Sequence, residues 1–116
     1  MRNVVLQKLK KKENGDVMLL AERYYTILSA VNDLKLTQRE IQLIGFTAVK
    51  GNISYANNRK EFCKKHNTSN ASINNIISRL KRMGVLVKDA SKLKVNPKIL
   101  LNFENDVVLE IRLSHG

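Results

Sequence analysis

The chain predicts a mainly helical α+β fold in a single domain. Its last two helices are joined by a tight turn and followed by a β-hairpin, and short strands lie at both termini. Three observations lead there. Apolar residues recur at three- and four-residue spacing over 17–34, 38–49 and 70–83, the period of a helix with one buried face. Capping residues punctuate these stretches. Beyond Gly84 the pattern changes to short β-prone runs separated by a turn.

The domain divides into an N-terminal strand and helix (1–35), a central unit (36–96) and a C-terminal strand extension (97–116). Val4-Val5-Leu6 opens a β-prone run, and Asn14-Gly15-Asp16 is a turn signal. From Val17 to Leu34 the apolar series Leu20, Tyr24, Ile27, Leu28, Val31 and Leu34 reads as a helix. Val17 to Leu20 read equally as a strand returning through the Asn-Gly turn.

In "LTQREIQLIGF", Thr37 and Glu40 form a capping box, with Leu36 and Ile41 placed as a hydrophobic staple. A helix therefore runs from Gln38 to about Val49, and Gly51 suits a left-handed cap. Ile53 to Tyr55 is a short extended connection. Asn58 and Glu61 suggest a cap for a helix from Arg59 to His66. Ser69 caps a longer helix from Asn70 to Met83. Val85–Lys88 and Leu93–Val95 read as a hairpin around Asp89–Ser91. Pro97 to Leu101 reads as one helical turn, and Val107 to Leu113 as a final strand.

Composition narrows the function. No Trp, three Phe and three Tyr leave a core of Leu, Ile and Val. The net charge is +11. The segment from Lys50 to Lys98 carries 12 Lys and Arg against Glu61 and Asp89 alone, a net +10. Charge so concentrated points to a polyanionic partner; the plainer alternative is a solvated basic surface. The one cysteine, Cys63, has no internal disulfide partner, so the expected compartment is the cytoplasm, or the host cytoplasm if the protein is viral. No apolar run approaches the ~20 residues of a membrane span, and no signal peptide is visible.

The stretch "RKEFCKKHNTSNASINNIISRLKRMGVL" carries the chemistry. Phe62 faces inward, and Cys63 is small enough for close helix approach. Asn67 sits where the turn needs a left-handed backbone. Ile73, Ile76, Ile77, Leu80 and Met83 form one stripe of the second helix. At roughly 100° per residue, the opposite face holds Ala71, Asn75, Ser78 and Arg82, flanked by Ser72, Asn74 and Arg79. Polar uncharged groups at the start and bases at the end suit duplex DNA. Asparagine pairs bidentately with adenine, serine with several base edges, and alanine with the thymine methyl. Ser69, Asn70, Ala71, Ser72, Asn74, Asn75 and Ser78 are the expected base readers. Arg59, Lys60, Lys64, Lys65, Arg79, Lys81 and Arg82 are expected on phosphates. Lys88, Lys92 and Lys94 join them from the hairpin.

The same stretch resembles the winged helix-turn-helix superfamily, in the manner of MarR-type regulators and plasmid or phage replication initiators. Those families tend to show "KELAEKLGVS…S.VSR.I.RLEKKGLI". Here Glu61-Phe62-Cys63 stands for Glu-Leu-Ala. Ser78-Arg79-Leu80 and Met83-Gly84-Val85-Leu86 match the helix end and the entry to the wing. The resemblance spans Thr37 to Val95, about half of the chain. It departs at Asn67, which replaces Gly, and at His66 and Thr68, which replace apolar residues. It implies a wing along the DNA backbone or in the minor groove.

No catalytic constellation, cofactor motif or Gly-rich phosphate loop appears. Cys63 and His66 have C-x-x-H spacing, but no further Cys completes a zinc site. An enzyme is not expected. Two roles remain. One is a small DNA-binding regulator or replication factor, with a homodimer through 17–34 or through the terminal strands, or a phage or replication protein partner, as options. The other is a phage or mobile-element structural or assembly protein that uses the winged helix for protein contacts and binds DNA non-specifically; its strand-prone termini, able to add to a neighbour's sheet, fit that role.

Overall fold

The computed structural model describes residues 2–9, 16–103 and 107–114; for the first and last of these segments the description is of backbone pairing. The predicted turn at Asn14-Gly15 therefore lies outside the described residues. The order is β1 (Arg2–Leu9), α1 (Val17–Val31), α2 (Gln38–Lys50), α3 (Ala56–His66), α4 (Asn70–Arg82), β2 (Leu86–Asp89), β3 (Lys92–Val95), a 3-10 turn (Pro97–Ile99) and β4 (Val107–Ser114). This is the predicted class, α+β and mainly α. Two two-stranded sheets accompany the helices. β2 pairs antiparallel with β3, and β1 pairs antiparallel with β4 from Arg2↔Ser114 to Leu9↔Val107. Among the described residues no helix is long and apolar enough to cross a membrane.

Val17 to Leu20 are helical, not a returning strand. The Asp16 side chain accepts the Leu19 N–H and caps the first turn, satisfying a donor that a helix start leaves orphaned. The helix stops at Val31, short of Leu34. Leu34 N–H reaches back to the Ser29 carbonyl, and Asp33 and Lys35 take positive φ. The Ser29 hydroxyl then accepts the Leu36 N–H and fixes the approach to α2. α1 directs Leu20, Ala21, Tyr24 and Tyr25 into the core. Gly45 lets α2 cross it closely: a Cβ there would lie 3.3 Å from the backbone nitrogen of Glu22.

α2 starts with the predicted capping box and ends at Gly51 with φ +97°. α3 begins at Ala56, three residues before the predicted start. Asn58 is not its cap; its Nδ2 donates to the Asn52 carbonyl. The buried Asn52 instead organises the entry, its Oδ1 accepting the N–H groups of Ser54 and Tyr55. The extended connection forms no strand. It touches the sheet edge through Ile53 N–H to the Leu93 carbonyl and Leu93 N–H to the Ser54 hydroxyl.

The turn between α3 and α4 rests on Asn67, left-handed at φ 51° and ψ 57°. Thr68 N–H bonds back to the Cys63 carbonyl. The Arg39 guanidinium donates to the His66 carbonyl at 2.8 Å, supplying a helix C-terminus with the positive partner its dipole favours. The His66 ring lies 4.5 Å from that of Phe62, itself fully buried against Phe46. At the other end of α4, Gly84 (φ +77°) closes a Schellman motif, with bonds from Val85 to Leu80 and from Gly84 to Lys81. The buried pair Leu86 and Val95 roots the hairpin in the core. Tyr24, Tyr25 and Phe103 form an aromatic cluster, and the Tyr25 hydroxyl donates to the Ile99 carbonyl, tying the chain after β3 onto α1.

Replacing Asn67 by valine should destabilise the domain by about 1–2 kcal/mol, because a β-branched residue resists the left-handed backbone. Asn67→Gly should stay close to the parent. Urea denaturation of both variants checks the contrast.

Candidate nucleic-acid interface

α4 buries Ile73, Ile77 and Leu80 and half-buries Ile76 and Met83, so the predicted stripe is its inner face. Ser69, Asn70, Ala71, Ser72, Asn74, Asn75 and Ser78 are all exposed, as are Lys81 and Arg82. Ser69 is the N-cap, its hydroxyl oxygen accepting the Ser72 N–H. It also shares a hydroxyl bond with Ser72. The crest of the helix is therefore Ala71, Asn75, Ser78 and Arg82, a narrow polar ridge that turns basic at its end.

Both flanks of that ridge are pinned to neighbouring helices. On one side Arg79 donates to the buried carboxylate of Glu40 at the start of α2. On the other, Arg59 of α3 donates to Asn70 and Asn74. Two predicted phosphate contacts and two predicted base readers thus have intramolecular partners. Arg79 serves as an anchor between helices. Asn70 and Asn74 remain exposed, but their carbonyl oxygens are occupied.

Glu40 is 4% exposed and its carboxylate is divided between two tasks. Oε1 accepts the Thr37 N–H at 2.7 Å, closing the capping box, while Oε2 takes Arg79. Burial alone would push this carboxyl up. The Arg79 guanidinium and the Thr37 N–H and hydroxyl outweigh burial and hold it below its ordinary value.

The other predicted cations are dispersed around this ridge. Lys60 and Lys64 are exposed on α3. Lys65 is exposed too, within electrostatic range of Glu22 on α1. Lys88 is exposed on the hairpin, whereas Lys94 pairs with Asp89 at 3.3 Å. The Lys92 ammonium lies 5.3 Å from the ring centre of Tyr55, which is 52% exposed. This cation–aromatic unit lies at the turn end of the hairpin, where Lys92 pairs with Asp89, and the sequence pattern gives no sign of it. In the sequence Tyr55 reads as part of a short extended connection, and no local signal links it to a lysine 37 positions away. Ala56, Arg59, Lys60, Cys63 and Asn70 line an open cleft of about 390 Å³ between α3 and the start of α4. Among the described residues no group of three His, Cys, Asp or Glu is placed to hold a metal ion.

No family model, curated protein or solved structure matches this chain.

Glu40→Ala should cost about 2 kcal/mol, below the range for breaking a fully buried pair because Arg79 is partly exposed. A depressed carboxyl in the folded state stabilises the protein above its ordinary value of 4.5. That contribution is lost as pH falls through the folded value. Glu40→Gln should therefore flatten the acid limb of a stability-versus-pH curve measured by urea denaturation. An unchanged acid limb would show that the carboxylate contributes nothing there.

Proposed function

We propose that the protein is a double-stranded DNA-binding winged helix-turn-helix protein, a small transcriptional regulator or replication-associated factor acting in the cytoplasm. In this reading α4 enters the major groove and the β2–β3 hairpin is the wing, lying on the backbone. The observation that carries it is the exposed ridge Ala71, Asn75, Ser78 and Arg82 on the most basic segment of the chain. Short side chains at the start of the ridge allow close approach to base edges. Asn75 makes no hydrogen bond within the described residues, so both halves of its amide are open to adenine. Lys60, Lys64, Lys81, Arg82 and Lys88 supply cations for phosphates.

Homodimerisation would present two such helices to half-sites about one helical turn apart. α1 spends most of its apolar face inside the chain, and Val31, 56% exposed, is its main uncovered aliphatic residue. A second reading is an assembly protein of a phage or mobile element. The β1–β4 pair favours it, since each of its strands has a paired neighbour on one side only and an unpaired strand edge can accept a partner's strand.

Binding to random duplex and to a pool of duplexes enriched by selection, each titrated with salt, tests the proposal. A sequence bound at least about a thousand-fold more tightly than bulk DNA is expected. Asn75→Ala should relax its preference at one position. Lys64→Ala should weaken binding to all sequences and lower the salt slope by about one. Weak, steeply salt-dependent and sequence-blind binding would overturn the regulator reading in favour of assembly or DNA coating.

A further inference from the structure

Arg59 makes three side-chain bonds. Its Nε donates to the Ile53 carbonyl at 2.9 Å. Its Nη1 donates to Oδ1 of Asn70 at 3.0 Å and to Oδ1 of Asn74 at 2.7 Å. The Ile53 bond fixes the plane of the guanidinium, and Ile53 itself is fully buried and bonded to β3. The clamp therefore stands on the core.

A guanidinium has five N–H donors and no acceptor. Whichever way an asparagine amide would otherwise turn, the atom it presents to Arg59 has to be its oxygen. The reverse orientation would set NH2 against N–H. Asn70 and Asn74 are one helical turn apart and share one flank of α4. Both accordingly keep their oxygens on Arg59 and leave their Nδ2 donors uncommitted within the described residues. Asn75 stands outside the clamp.

We propose that Arg59 is a positioning residue that sets the recognition chemistry of this flank. It makes Asn70 and Asn74 donor-only groups that select the acceptor-only edge of guanine. This assignment rests on the duplex-reading role proposed above. Bidentate recognition of adenine needs one donor and one acceptor from the same amide, whereas guanine offers N7 and O6, both acceptors, in the major groove. The clamp therefore discriminates guanine from adenine without itself touching a base. Asn75, with both amide atoms open, reads adenine at a neighbouring position. Three asparagines on one helix are thus split into two classes by a residue on another helix.

The test is selection of preferred duplexes by the parent protein and by Arg59→Met, with helical content and Tm measured alongside. The parent should require guanine at the position that Asn74→Ala relaxes. Arg59→Met frees the amides to turn, so adenine should become accepted there, while the adenine read by Asn75 is unchanged. Arg59→Lys, still a pure donor, should retain the guanine preference. If Arg59→Met fails to fold, Arg59→Gln serves in its place, because it offers both a donor and an acceptor.

An independent arm needs no variant. Replacing that guanine by 7-deazaguanine should weaken binding by the parent about tenfold, the scale of one good base contact. A selected site whose guanine preference is identical in the parent and in Arg59→Met, or one indifferent to 7-deazaguanine, overturns the clamp's role while leaving duplex recognition intact. Failure to enrich any sequence overturns both.

Discussion

A single carboxylate holds the orientation of α4. Glu40 lies under the junction of α2 and α4, and burying its charge without partners would cost several kcal/mol. It has partners for both oxygens. One closes the first turn of α2 through Thr37, the other meets Arg79 in the last turn of α4. The folding of α2 from its N-terminus and the setting of α4 against it are thereby coupled. Burial of Ile73, Ile77 and Leu80 sets which face of α4 turns inward. The directed, charge-assisted bond from Arg79 reinforces the rotation that leaves Ala71, Asn75, Ser78 and Arg82 outward.

The opposite flank shows the same logic with the charges rearranged. Arg59 reaches from α3 to α4, but its partners are amides and a main-chain carbonyl, so its charge is not neutralised. The two guanidinium contacts bracket the helix, one ionic and partly buried, the other polar and exposed. Among the described residues no buried side-chain polar atom lacks a partner, so neither bracket leaves an uncompensated group behind. Both ends of α4 are closed locally as well, by the Ser69 cap and the Gly84 motif. The helix is thus tied at both ends and on both flanks by interactions within the chain.

The hairpin depends on this arrangement. Leu80 holds Val85 by a main-chain bond, and Asn96 binds both Val85 and Gly84 across the base of the strands. A change in the set of α4 would therefore be carried directly into β2. Lys88 and Arg82 belong to one mechanical unit, although one is on a strand and the other on a helix.

Much of this was legible from residue order. The Thr37–Glu40 box, the Gly51 stop, the left-handed Asn67, the Ser69 cap and the inner stripe of α4 all arise from interactions within a few residues. Propensity and periodicity report such interactions well. The start of α3 was misplaced because Asn58 resembles a cap, while the group that organises that turn is Asn52, six residues earlier and folded back on itself. Val17 to Leu20 stayed ambiguous because a short apolar run suits either a strand or a helix, and the Asp16 side chain decided for the helix. By itself the sequence determined the helices, their caps and the concentration of positive charge, all of them local or additive properties. Only the tertiary structure decided that Arg79 answers to Glu40, that Arg59 holds Asn70 and Asn74, that Lys92 sits over Tyr55 and that the first strand pairs with the last. Each of those joins residues far apart in the chain, and a contact of that kind leaves no periodicity for the sequence to display.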